Sequence, residues 1–109
     1  MEELVGPLSL TEEQISQVDG CAGVYVTYDR QGFVSGLGRS DCNLRESLNE
    51  QAAAGEACSF AYKPAPSPKE AFNLECLLYH AAGGAFAQLI HPVPTPGHTW
   101  RCPICWIYG

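Results

Sequence analysis

The stretch that most constrains the fold covers residues 23–45 and reads GVYVTYDRQGFVSGLGRSDCNLR. In its first part, Gly23–Tyr28, two sets of side chains alternate with a period of two, as they do along a β-strand. A polar turn follows in which Gly32 can adopt positive φ, and residues 33–37 supply a returning strand. The stretch therefore predicts a β-hairpin that leads through a glycine-rich exit into a helix carrying Arg45.

Helices and one more strand are predicted around this hairpin. Thr11 opens a capping box, which predicts a leading helix within residues 1–20. Residues 41–54 carry apolar side chains at four-residue spacing and predict a helix after the hairpin. Residues 58–63 alternate as a third strand does, and Ser67 then caps the start of a last helix.

Length, composition and charge restrict the class of protein. A chain of 109 residues with 46% hydrophobic and 17% charged residues has room for one folded domain with one modest core. Six Lys and Arg residues against twelve Asp and Glu residues give a net charge of −6, which disfavours nucleic acid as a partner unless a local basic patch exists. The chain has no basic-then-apolar leader and no stretch near the ~20 apolar residues of a membrane span. We therefore expect a soluble cytoplasmic protein without a membrane partner, whose cysteines are mostly reduced.

Three residues on the predicted strands and helices could take part in catalysis or metal binding, and each has an ordinary structural interpretation as well. Glu75 falls inside the apolar arc of the last helix, where a carboxylate needs a metal ion, a basic partner or access to water. An ion pair with a nearby arginine at the edge of the core would satisfy it. Arg45 fits a solvated helix face, and Tyr25 fits plain strand packing, since aromatic residues are favoured in strands.

Taken together, in order and spacing, these motifs resemble the GIY-YIG nuclease family. Residues 23–25 (GVY) stand where the first signature triplet belongs, and residues 36–38 (GLG) take the place of the second. Residues 39–40 (RS) and 43–45 (NLR) resemble the run that follows the second triplet. Residues 70–75 resemble the start of the helix that bears the metal-binding glutamate of the family.

The resemblance implies a small α/β domain with a three-stranded, mainly antiparallel sheet and flanking helices. The sequence as a whole divides into a leading helix over residues 1–20, a GIY-YIG-like core over residues 21–90, and a C-terminal strap over residues 91–109 that we expect to pack on the same domain. In active members the tyrosine helps to activate water, the arginine stabilises the phosphate, and the glutamate holds one divalent metal ion, usually magnesium. The corresponding catalytic candidates in this chain are Tyr25, Arg45 and Glu75, with Glu75 as the ligand of Mg²⁺.

Two positions depart from the pattern of active members. Gly36 stands where the family has its second tyrosine, and Asn49 stands where active members often carry histidine or tyrosine. Neither glycine nor a carboxamide can relay a proton at neutral pH. We therefore favour a diverged domain that binds or weakly cleaves nucleic acid phosphodiesters with a divalent metal. The alternatives are a catalytically inactive module that binds a protein partner, and a small zinc-stabilised binding protein.

The zinc-stabilised alternative comes from the end of the chain, which carries a Cys-Pro-Ile-Cys motif with the spacing of half a zinc knuckle. Two thiolates and two imidazoles are available there for a tetrahedral zinc ion: His91, His98, Cys102 and Cys105. Cys76 and His80 are substitutes from the preceding helix. The other interpretation is a pair of buried thiols in a proline-constrained segment, held by the packing of Trp100 and Trp106.

Overall fold

The computed structural model describes residues 4–55, 57–81 and 91–104. These residues form a small α/β fold with an antiparallel sheet. In chain order the elements are β1 (Val5–Ser9), α1 (Glu12–Ile15), β2 (Gly23–Tyr28), β3 (Val34–Ser40), α2 (Leu44–Ala54), β4 (Ser59–Pro64) and α3 (Pro68–Ala81). Among the described residues, no helix combines the length and the apolar character that a membrane crossing requires.

The predicted hairpin forms one side of the sheet. The strand order is β1-β4-β2-β3, so β2 is central and β3 is an edge strand. Tyr25 of β2 pairs with Gly38 of β3 on one side and with Tyr62 of β4 on the other. Asp29 accepts from the backbone N–H groups of Gln31 and Phe33 at 2.9 Å each, which holds the turn between β2 and β3.

The expectation of three strands is wrong, because Val5–Ser9 adds a fourth that pairs with β4. This segment was assigned to the leading helix, and its Gly-Pro dipeptide hides the strand pattern. Proline is tolerated on an edge strand, where its missing N–H faces away from the ladder. Gly6 is required there, since a Cβ atom would lie 2.8 Å from the carbonyl oxygen of Phe60.

The predicted helix caps are confirmed at two helices. Thr11 accepts from the N–H of Gln14 at 3.3 Å, although α1 itself covers only Glu12–Ile15. Ser67 accepts from the N–H of Glu70 at 3.2 Å at the start of α3. Side chains at both positions satisfy N–H groups that a helix start leaves unbonded.

The helices cover both faces of the sheet. Neighbouring residues on a strand point to opposite faces, so β2 contributes to two cores at once. One core lies against α1 and α2 and contains Ile15, Val18, Tyr25, Leu44, Leu48 and Phe60. The other lies against α3 and contains Ala22, Val24, Ala65, Ala71 and Leu74.

A third apolar cluster joins α3 to residues 91–104, which we call the C-terminal segment. Cys102 is fully buried against Phe72 and Cys76 of α3. The ring of Trp100 lies 5.9 Å from the ring of Phe72. The Thr95 hydroxyl donates to Asp41 at 2.8 Å, which ties the segment to the residue after β3. The C-terminal segment therefore packs on both α3 and the end of β3.

Candidate functional site

Tyr25 lies in the middle of β2 with its ring against the backbone of β3. A Cβ atom on Gly38 would collide with the ring and with the hydroxyl oxygen, so only glycine fits at that position. Burial raises the pKa of Tyr25 above its ordinary value, and a hydrogen bond with Gln51 only partly opposes this rise. The phenol therefore stays protonated at neutral pH, where it can donate a hydrogen bond but is a poor base.

A cavity of about 180 Å³ lies beside Tyr25, where Gly36 leaves space on the edge strand. Its polar lining includes Thr27 and Gln51, both uncharged. The hydroxyl of Thr27 is already hydrogen-bonded to Ser35 at 2.9 Å. The cavity thus offers neutral polar groups and no ionisable group besides the buried phenol.

Arg45, in the first turn of α2, clamps the loop that follows α1. Its Nε and Nη2 atoms donate to the carbonyl oxygen of Val18 at 3.1 and 2.8 Å. The same guanidinium lies close to Gly20, where a Cβ atom would be 3.5 Å from Nη1. Arg45 is an exposed residue, and its guanidinium is hydrogen-bonded to the backbone of this loop.

Glu75 faces β3 from α3 and forms an ion pair. Nη1 of Arg39 donates to Oε1 of Glu75 at 3.1 Å, and Nε of Arg39 donates to Asp41 at 2.9 Å. The same guanidinium lies 5.4 Å from the centre of the Phe72 ring. The expected pairing of Glu75 with an arginine is therefore confirmed, and the partner is Arg39.

Burial raises the pKa of Glu75 above its ordinary value even though Arg39 pulls it down and is the largest opposing influence. The cost of removing the carboxylate from water thus outweighs the attraction of one guanidinium that is shared with Asp41. Glu75 and Arg39 line a cavity of about 210 Å³ together with His91, Pro92 and Val93. This second cavity is therefore lined by an ion pair, whereas the cavity beside Tyr25 has no charged residue in its lining.

Neither of the two cavities that the described residues line brings the three catalytic candidates together. Tyr25 lines the first cavity and Glu75 the second, while Arg45 lines neither of these two cavities of the described chain. Tyr25 packs against α1 and α2, whereas Glu75 belongs to α3 on the opposite face. The Glu75 charge still reaches Tyr25 and contributes to its raised pKa, after burial. Their roles in catalysis remain predictions.

A group of metal-ligating side chains lies beside the second cavity. His80 at the end of α3, His91 and Cys102 each offer one ligand atom, and these atoms all lie within 4.8 Å of one another. The two Nε2 atoms of the histidines are 3.1 Å apart. We call these residues the His80–His91–Cys102 triad.

Hydrogen bonds to neighbouring backbone groups orient two members of the triad, His91 and Cys102. Nδ1 of His91 lies 2.7 Å from the carbonyl oxygen of Pro92. A carbonyl can only accept, so Nδ1 of a neutral His91 carries the hydrogen, and its Nε2 can either accept a hydrogen bond from Nε2 of His80 or bind a metal ion. The sulfur of Cys102 accepts a hydrogen bond from the N–H of Ile104 at 3.4 Å.

The donor set fits a tetrahedral ion with nitrogen and sulfur ligands. Two nitrogens bound at ~2.0–2.1 Å to one tetrahedral ion lie about 3.3 Å apart, close to the separation of the two histidine nitrogens. Magnesium prefers oxygen ligands, so it does not match these donors. The residues that are present can therefore hold a transition metal ion.

The outcome for the four residues predicted as zinc ligands is mixed. His91 and Cys102 belong to the triad, and His80, named as a substitute, completes it. His98 instead stacks on Trp100, with ring centres 4.4 Å apart. Cys105 lies outside the described residues.

No family model matches this chain, and no match is found among curated proteins.

The residues that sequence reasoning missed are Arg39 and Asp41 as partners in the Glu75 network. Strand alternation offers the relevant signal, because Arg39 follows Gly38 and must point to the face opposite Tyr25. That face is the one α3 covers. The Thr95 contact with Asp41 has no such signal, since it joins residues 54 positions apart.

Proposed function

We propose that this chain is a zinc-stabilised binding domain with a GIY-YIG-like architecture, in which the residues expected for phosphodiester hydrolysis serve mainly structural roles. The observation that carries the proposal is the convergence of His80, His91 and Cys102. Imidazole and thiolate donors favour zinc over the hard cations that phosphodiester hydrolysis uses.

Zinc at this site would join two parts of the fold. His80 is anchored on α3, whereas His91 and Cys102 belong to the C-terminal segment. An ion held by all three connects the segment to the helix, and such binding contributes directly to folding. Cys105 follows Cys102 by three residues, a spacing that lets both sulfurs reach one ion, so we propose it as the fourth ligand.

The architecture supports the GIY-YIG part of the proposal. The hairpin of β2 and β3, then α2, β4 and α3 follow in the order that the resemblance implies, and β4, β2 and β3 are antiparallel neighbours. Glu75 lies on α3, as the resemblance requires. On this proposal β1 is an addition at the β4 edge.

Side-chain contacts argue against efficient hydrolysis. Tyr25 has a raised pKa, so little phenolate is present to activate water. The guanidinium of Arg45 is held by Val18 instead of being free to bind a phosphate. A magnesium ion at Glu75 would have to compete with Arg39, which already donates to Oε1 of the carboxylate. A binding role for the domain is consistent with all three contacts.

A second candidate function, weak magnesium-dependent cleavage, is favoured by one observation. Glu75 lines a cavity with Arg39 beside it, and Asp41 is bonded to the same guanidinium. This function requires that magnesium-dependent cleavage of branched or single-stranded DNA fall to background in Glu75→Ala and Arg45→Ala. If the wild type and both variants all fail to cleave these substrates, the cleavage function is excluded and only the binding role remains.

Zinc content tests the main proposal directly. The purified full chain should contain one zinc per chain by elemental analysis, and cobalt should replace it with the absorption bands of a tetrahedral site that includes thiolate. His80→Ala should lose the ion. His98→Ala is the matched control and should keep it, since His98 lies outside the triad. A stable wild-type protein that binds neither zinc nor cobalt would refute the proposal.

A further inference from the structure

The C-terminal segment forms one wall of the cavity that contains the Arg39–Glu75 ion pair. His91, Pro92 and Val93 line the cavity together with the charged pair. Two residues further on, Thr95 donates to Asp41, which also receives a hydrogen bond from Arg39. The segment therefore covers the charged network and is bonded to it.

The same segment is anchored through the metal-binding triad. His91 supplies both a lining side chain of the cavity and a ligand atom of the triad. Cys102, the second ligand from the segment, is fully buried against α3. The third ligand, His80, belongs to α3 itself, so movement of the cavity wall away from α3 would separate the ligands.

We infer that metal occupancy of the His80–His91–Cys102 triad controls access to the Arg39–Glu75 cavity. With the ion bound, His91 is fixed and the wall stays closed. Without it, closure depends on the Thr95 hydrogen bond and the packing of Trp100 on Phe72. The inference rests on the metal site of the proposed function and adds a regulatory role to it.

Linkage makes the inference quantitative. An ion that binds only the closed form multiplies the ratio of closed to open molecules by 1 + [M]/Kd, where [M] is the free metal concentration. At about 100 times Kd, opening of the cavity should therefore fall about 100-fold. The rate at which a probe modifies a group inside the cavity should therefore fall in inverse proportion to the free metal concentration once that concentration exceeds Kd.

Arg39 supplies the probe, because its side chain is only 11% exposed in the closed form. Phenylglyoxal modification of the full-length chain in zinc buffers, followed by peptide mass spectrometry, gives the rate at Arg39. Arg30, exposed in the hairpin turn, is the internal reference and should react at a rate independent of zinc. Amide exchange in peptides from residues 91–104 should slow by the same factor as modification of Arg39.

Two variants separate the metal effect from the contacts of the segment. His80→Ala should abolish the zinc dependence at Arg39, whereas His98→Ala should keep it. Thr95→Val should speed the reaction at every zinc concentration while retaining the dependence, since it removes only the bond to Asp41. Circular dichroism establishes that each variant is folded before the rates are compared.

The possible results distinguish this inference from the proposed function. A fall in Arg39 reactivity that tracks zinc occupancy, with Arg30 constant, supports it. Stoichiometric zinc binding with unchanged reactivity at Arg39 and unchanged amide exchange would overturn the inference while leaving the zinc site in place. Absence of zinc binding would overturn both.

Discussion

Arg39 of β3 donates to Glu75 of α3 at 3.1 Å, across 36 positions of sequence. Both side chains are largely buried, at 11% and 16% exposed. Arg39 also bonds Asp41, so one cation compensates two carboxylates at the interface between strand and helix. The residue that the resemblance implies as a metal ligand is thus held by the protein's own cation.

Removing this cation should destabilise the fold. Arg39→Met keeps much of the apolar contact with Phe72 but leaves Glu75 buried without its partner, so the free energy of unfolding should fall by roughly 3 kcal/mol. Urea denaturation measures the change. Arg30→Met, at an exposed turn position, should stay within about 0.5 kcal/mol of the wild type.

The double variant Arg39→Met, Glu75→Met tests the reason for the loss. It removes the uncompensated carboxylate as well, and should therefore be more stable than Arg39→Met alone. A double variant that is less stable than Arg39→Met would contradict this reason, because it would show that Glu75 stabilises the fold through contacts other than the pair.

The raised pKa of Tyr25 predicts a loss of stability in alkali. The folded state holds the phenolic proton more tightly than the unfolded state does, so this contribution is complete below the ordinary value of 10.0 and is lost as pH rises through the folded value. Urea denaturation from about pH 8 to about pH 11 should show a steeper loss for the wild type than for Tyr25→Phe. Parallel curves for the two proteins would contradict the assignment.

Glycine should be required at position 38 more strictly than at position 36. A Cβ atom at Gly38 collides with the buried Tyr25 ring, whereas at Gly36 it would lie 3.1 Å from the Thr27 hydroxyl, which can shift slightly. Gly38→Ala should therefore lower the free energy of unfolding by about 2–3 kcal/mol and Gly36→Ala by about 1 kcal/mol or less. Thermal or urea denaturation checks the order, and equal losses would contradict it.

Arg45 should affect stability rather than chemistry. Arg45→Ala removes two charge-assisted hydrogen bonds to Val18 and should cost about 1–2 kcal/mol in the free energy of unfolding. The measurement is urea denaturation at neutral pH. A variant as stable as the wild type that has lost a measurable nuclease activity would instead favour the catalytic role.

Metal removal should lower stability through the triad. At free zinc of about 100 times Kd, bound ion adds about 2.7 kcal/mol to the free energy of unfolding, and a chelator should remove this increment. The increment should persist in His98→Ala and be lost in His80→Ala. Melting temperatures measured with and without chelator for the three proteins provide the comparison.

Short-range rules predicted the parts of the fold that depend on neighbouring residues. The β2–β3 hairpin, the Thr11 cap and the Ser67 cap each follow from a few adjacent side chains. β1 was missed because its pairing with β4 is decided far along the chain and its Gly-Pro dipeptide disguises the strand.

The site was less predictable, for the same reason. Sequence reasoning gave the kind of partner for Glu75 but not its identity, since that depends on how α3 lies on β3. It gave His91 and Cys102 as zinc ligands and held His80 only as a substitute, because the arrangement of the C-terminal segment on α3 selects among the donors. It placed Arg45 near a phosphate, whereas the backbone of the preceding loop takes its guanidinium.

The contact between Tyr25 and Gly38 has a consequence for relatives of this chain. The ring occupies the volume that any side chain at position 38 would need. Substitutions at the two positions should therefore be coupled in evolution, with glycine kept opposite an aromatic residue and a larger residue at 38 accompanied by a smaller one at 25. A correlated pair of this kind would identify chains that share the pairing of β2 with β3, even where the rest of residues 23–25 and 36–38 has changed.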